Sequence, residues 1–195
     1  MRELLRTGMS KGDLEAAILA LEQNPEDVKA LLEILYAQGA SKVQARKASW
    51  VIRHLAKRHP KLLLPEHEKL FNILINARDS AVIREILKAL SAPELQRNEN
   101  DEQSKFLAIL GMDYIAAQGV PKALRYLGLK LVNDRWTKMT CSTQKETLSN
   151  VDTLLIRLSE ENDDSPLMQS ARRMRDKGSA KVEGKKHPFA RKNQA

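Results

Sequence analysis

The chain has 195 residues, one cysteine, 4% aromatic residues and a formal net charge of +8. A single cysteine excludes an internal disulfide framework, and no stretch approaches the roughly 18 unbroken apolar residues of a membrane-spanning helix. The apolar supply is Leu, Ile, Val and Ala, which suits helix packing better than a sheet, so the expected fold class is all-α. The opening MRELLRTGMSKGD lacks the apolar run of a secretory leader, so the expected location is cytoplasmic. Cys141 has no suitably spaced Cys or His partner and reads as a bystander.

In chain order, DLEAAILALEQ is the first helix, with Asp13 placed to cap it and Leu14, Ile18 and Leu21 along one face. Asn24-Pro25 ends it. EDVKALLEILYAQG follows and stops at Gly39, a residue suited to a left-handed C-terminal cap. Ser41 caps SKVQARKASWVIRHLAKRHP, which Pro60 terminates. KLLLPEHEKLFNILINAR carries Leu70, Ile73, Leu74 and Ala77 at helical spacing, Asp79 caps SAVIREILKALS, and Pro93 closes that helix. The polar LQRNENDEQ reads as a loop before EQSKFLAILGMDYIAAQG, which ends at Gly119. Val120-Pro121 then opens KALRYLGLKLVNDRW, CSTQKETLSNVDTLLIRLSEE follows a joint at 140–142, and Ser165-Pro166 starts SPLMQSARRMRDKG. From Gly178 onward no apolar period remains, and residues 178–195 are expected to be a disordered basic tail.

The positive charge is unevenly placed. Residues 171–195 hold nine Lys and Arg against two acids, whereas residues 1–170 hold 24 against 23. Within the body, 41–61 has seven basic residues and no acid, and 120–140 has five against one. Three basic blocks therefore alternate with acidic ones, and whether they share a surface depends on the fold.

Four segments resemble one another: VQARKASW around Arg46, AVIREILK around Arg84, KALRYLGL around Arg125 and MQSARRMR around Arg172, at intervals of 38, 41 and 47 residues. This is the period of HEAT and armadillo repeats, helix pairs whose apolar faces are buried against neighbouring pairs. The run ASWVIRHLAKRHPKLLLPEHEKLFNIL and the closing PLMQSARRMRDKG resemble the HEAT-like units of small bacterial α-solenoid proteins. The likeness covers about residues 25–177 and implies a right-handed α-solenoid over residues 1–177. Some proteins of that group carry an adenylosuccinate lyase label. Nothing here resembles that enzyme's Ser-, Met-, Pro-, Lys- and Asn-containing signature loop, and the chain is too short for its fold.

The four arginines admit two readings: a ladder gripping successive phosphates, or pairing with an Asp or carbonyl of an adjacent unit, as HEAT arginines commonly do. The spacing alone accounts for the second. Around helix 41–61, Lys42, Arg46, Trp50, Arg53, Lys57 and Lys61 fall on one side and Ala45, Ala48, Val51, Ile52 and Leu55 on the other. An indole among cations could stack on a base or on an acidic partner's aromatic. Alternatively, Val43 and Trp50 pack on the preceding helix. Trp136 carries the same ambiguity, with packing on the next unit the simpler reading.

No catalytic constellation is present. His54 and His59 are five residues apart and do not share a helix face, and His67-Glu68 stands alone, so no metal or other cofactor is expected. The resulting expectation is a non-enzymatic adaptor that binds an acidic protein segment through Arg46, Trp50, Arg53 and Lys57. The alternative is nucleic-acid binding, extending to an alkylpurine DNA glycosylase built from Trp50, Trp136 and Asp113 or Asp134.

Overall fold

The computed structural model describes residues 10–36, 41–161, 163 and 165–182. Among these, all regular structure is helical, and no helix is long and apolar enough to cross a membrane. The proposed Gly39 cap and residues 183–195 of the expected tail lie outside the described residues.

The chain divides into two compact units, Met1–Asn100 and Asp101–Ala195. In the first, Ser10 rather than Asp13 is the N-cap of α1 (Lys11–Gln23). Ser10 accepts from the Asp13 amide at 3.2 Å, while the Asp13 carboxylate accepts from the Ser10 amide at 2.7 Å. This is a capping box, in which the acid sits three residues inside the helix instead of ahead of it. Next come α2 (Asp27–Tyr36), α3 (Lys42–Arg58), α4 (His67–Asn76) and α5 (Ser80–Leu90). A capping box between Ser41 and Gln44 starts α3, and Asp79 caps α5 through the amides of Ala81 and Val82. Pro60 does end the long helix and leads into two 3₁₀ turns, Pro60–Leu62 and Leu64–Glu66.

Pro93 opens a helix rather than only closing one. It is the first residue of the short α6 (Pro93–Arg97), where its missing N–H costs nothing and its fixed φ suits a helix start. That helix occupies part of the expected polar loop. The core of the unit forms where α3 packs on both α1 and α5, and where α2 packs on α3 and α4. Ala48, Val51, Ile52 and Leu55 of α3 are fully buried, as the 3.6-residue period predicts. Each such Leu or Ile contributes about 1.5–3 kcal/mol relative to exposure.

The second unit contains α7 (Asp101–Ala116), α8 (Lys122–Arg135), α9 (Cys141–Glu160) and α10 (Pro166–Val182). Gly119 follows α7 with φ +72°, a left-handed conformation in which a side chain would be strained. Helices α7 and α8 cross at contact distance through Gly111 and Gly128. A Cβ on Gly111 would stand 2.8 Å from the Gly128 carbonyl oxygen, and one on Gly128 would stand 2.7 Å from that of Gly111. Met112, Ile115, Val132, Trp136, Val151, Leu154, Leu167 and Met174 belong to the shared core.

The last helix continues past Gly178 to Val182, correcting the expected start of the tail. Gly178 is buried, and a Cβ there would meet Leu148 Cδ2 at 2.6 Å and the Trp136 ring at 3.1 Å. The glycine that reads as a helix stop is instead where α10 lies against α9 and the indole.

Candidate functional site

The cations of α3 are largely committed to acids on the helices beside it. Arg46 Nε donates to both Asp79 oxygens at 3.2 and 3.0 Å, and its Nη2 lies 2.9 Å from Oδ2. Asp79 is thus held between a guanidinium and the first amides of α5, and the Arg46 hydrogen bond, foremost, keeps its carboxyl below the ordinary range. Arg53 Nη1 donates to Glu85 at 3.1 Å. Glu85, with a side chain only 6% exposed, also accepts from Arg84 Nε at 2.8 Å and from Lys88 Nζ at 3.3 Å. Burial works to raise its carboxyl, but the three cations hold it below the ordinary range.

Toward α1, Arg58 donates to both oxygens of Glu15, and His59 Nε2 lies 2.9 Å from Glu22. Acids on both neighbouring helices therefore tie α3 into its layer. Trp50 is half-buried and meets the His54 ring edge-on at 5.3 Å. Burial, assisted by Arg53, lowers the His54 pKa. Val43 is 56% exposed, so the expected Val43–Trp50 seam does not form. Of the four residues predicted for contact, Arg46 and Arg53 are in ion pairs and Trp50 is against His54, while Lys57 is exposed and makes no hydrogen bond or ion pair among the described residues.

The four repeat arginines are not equivalent. Arg46 takes an Asp and Arg84 takes Glu85, while buried Arg125 donates to the Ala117 carbonyl at 3.2 Å and Arg172 is exposed. Pairing with an Asp of an adjacent unit, the structural reading of the spacing, describes Arg46, while the carbonyl that Arg125 meets lies eight residues upstream, between α7 and its own helix.

Trp136 is 4% exposed within a hydrophobic core, whereas Asp113 and Asp134 are exposed. Among the described residues, no group of three His, Cys, Asp or Glu side chains is placed to hold a metal ion. His67 is buried against Phe71, their rings 5.2 Å apart.

The second unit presents a different basic surface. Helices α8 and α10 pack together and enclose a groove of about 190 Å³. Tyr126, Lys130 and Asn133 recur along one stripe of α8, and Ser170, Arg173 and Lys177 along one stripe of α10, because spacings of three and four return to the same face. Leu129 and Met174 complete the lining, and no carboxylate joins it. Lys130, Arg173 and Lys177 are exposed and form no hydrogen bond or ion pair among the described residues, and Tyr126 is 46% exposed. The structure thus brings together the basic blocks 120–140 and 171–177. The blocks are visible in the sequence as charge runs, but the pairing of the two stripes into a groove is not.

A chain of this kind can hold anions by charge and offer a ring for stacking or hydrogen bonding. A HEAT repeat domain model matches residues 1–176. No match is found among curated proteins or among solved structures. With nearly the whole helical part covered by the family model and helices at the period of the repeat, the chain belongs to the HEAT repeat domain family.

Proposed function

We propose that this HEAT repeat protein is a non-enzymatic adaptor, a right-handed solenoid acting in the cytoplasm, that binds an acidic segment of a protein partner in the groove between α8 and α10. The observation that carries this reading is the groove's composition among the described residues: three unpaired cations, an exposed tyrosine and no carboxylate. Carboxylates of a short acidic peptide would replace the counterions of Lys130, Arg173 and Lys177, while Tyr126 packs on an adjoining side chain. On α3, Trp50 and Lys57 form a lesser contact surface, with Arg46 and Arg53 held in place by Asp79 and Glu85.

Nucleic acid is the competing partner, favoured by the same exposed aromatic among cations. Outside the three basic blocks the chain holds 12 basic residues against 22 acidic ones and supplies few further phosphate contacts, which supports the protein reading. The test is a fluorescence-anisotropy titration of the full chain with a labelled Asp/Glu-rich peptide and with labelled single-stranded DNA at near-physiological salt. Saturable peptide binding that a Lys130→Glu, Arg173→Glu, Lys177→Glu variant abolishes is the expected result. Tighter DNA binding lost in the same variant would move the function to nucleic acid, and indifference of both probes to the variant would remove the groove from either role.

A further inference from the structure

A second concavity in the same unit has a different chemistry. It measures about 410 Å³, within the range of small-molecule sites, and lies among α7, the end of α8 and the start of α9. Its polar lining includes Ser104 and Lys105 from α7, Lys138, and Thr140 and Thr143 at the N-terminus of α9. Ala108, Ile109 and Met139 supply an apolar wall, and Ile109 is 56% exposed.

Ser104 is the feature that points to a ligand. Its residue is 2% exposed, and its hydroxyl is buried without a hydrogen-bond partner. Among the described residues the other buried Ser and Thr side chains return to a backbone carbonyl: Ser49 to Arg46, Ser91 to Leu87 and Thr147 to Thr143, each at 2.8 Å. Ser104 does not, so the donor of this cavity-lining residue stays uncompensated, an arrangement that costs stability and that folding alone does not require.

The electrostatics around it favour an anion. Thr140 caps the 20-residue α9, accepting from the Thr143 amide at 3.2 Å and lying 2.8 Å from the Thr143 hydroxyl, so the positive end of the helix dipole opens at the cavity. Lys105 and Lys138 are exposed and form no hydrogen bond or ion pair among the described residues. Arg135 also borders the cavity, with one guanidinium nitrogen already donating to the Leu131 carbonyl at 3.1 Å, and Asp101 is the one carboxylate on the lining.

We infer that this cavity is a binding site for a small amphiphilic oxyanion, a carboxylate or phosphate ester whose charged head meets Ser104, Lys105, Lys138 and the start of α9 while an apolar body lies on Ile109 and Met139. The site is separate from the α8–α10 groove, so either can fail without the other.

Amide NMR of the full chain, titrated at constant ionic strength with octanoate, octyl phosphate and neutral 1-octanol, tests it. Saturable shifts at Ser104 and Thr143 are expected for the two anions, and the tighter of them identifies the head group as carboxylate or phosphate. A Lys105→Gln, Lys138→Gln variant should weaken the anions roughly tenfold. Ser104→Ala should weaken them as well while raising Tm, because it removes a buried orphan hydroxyl; a purely structural serine would lower Tm on removal. Equal binding of 1-octanol, no saturable shift from any probe, or anion affinities unchanged in the lysine variant would each overturn the assignment.

Discussion

Helix α3 is the most basic of the described helices, yet much of its charge is spent, whereas Lys130 of α8 and Arg173 and Lys177 of α10 stand free among the described residues. On α3, Arg46, Arg53 and Arg58 each meet a carboxylate from α5 or α1. In the α8–α10 groove, Lys130, Arg173 and Lys177 meet none among the described residues. Formal charge along a sequence measures what a helix could bind, and the neighbours decide what remains available. In a helical repeat, where each helix has flanking helices, a run of cations serves stacking before it serves a partner.

The largest effect should come from the glycines that seat α8 on α7. Gly128→Ala places a Cβ against the Gly111 carbonyl oxygen, which is backbone and cannot rotate away, so about 3 kcal/mol or more of stability should be lost in urea unfolding. Peptide capture by the groove should fall with it. Gly178→Ala meets a leucine tip that can move and an indole that cannot move easily, and should cost about 1–2 kcal/mol.

Next in size, Glu85→Gln would turn the paired surface into an unpaired one. Losing the buried carboxylate should cost about 1–2 kcal/mol, the outer parts of its three cationic partners being screened by solvent. It should also free Arg53 and Lys88 and raise the affinity of α3 for an acidic peptide. Because the native Glu85 carboxyl is lowered from 4.5, its contribution is complete above that pH and is lost as pH falls below it through the lowered native value. The stability gap between wild type and Glu85→Gln should therefore close on acidification, as read by urea midpoints at successive pH values. A gap that widens in acid would show that the cations do not hold Glu85 ionised.

Smaller still is Arg46→Ala. Its exposed pair with Asp79 should contribute about 0.5–1 kcal/mol, with no change in peptide affinity. The smallest effect is Lys57→Ala, which should leave Tm unchanged and reduce peptide binding less than about twofold.

How much of this the sequence discloses depends on the distance over which the information acts. The buried face of α3, from Ala48 to Leu55, follows from local period, and Ser41 and Asp79 announce their helices by side-chain chemistry. Pairing of a repeat arginine with an Asp was legible in kind, although Asp79 lies 33 residues from Arg46. The groove was not legible, because α8 and α10 meet across an intervening helix of 20 residues and nothing in either stripe names the other. Nor were the roles of Gly111, Gly128 and Gly178, since a glycine within a helical period reads as a weak point or a stop until a facing backbone or ring gives it a reason. Ser104 is likewise unremarkable in sequence; only its buried, unpartnered hydroxyl distinguishes it.

The measurement to make first is the anisotropy titration of an acidic peptide against two charge-reversed proteins, Lys130→Glu with Arg173→Glu and Lys177→Glu on one side, and Lys57→Glu on the other. If free rather than formal charge governs binding, the groove variant loses capture by at least about tenfold with its helicity intact, while Lys57→Glu loses less than about threefold. Full binding by the groove variant together with loss in Lys57→Glu would place recognition on α3 and contradict that reading.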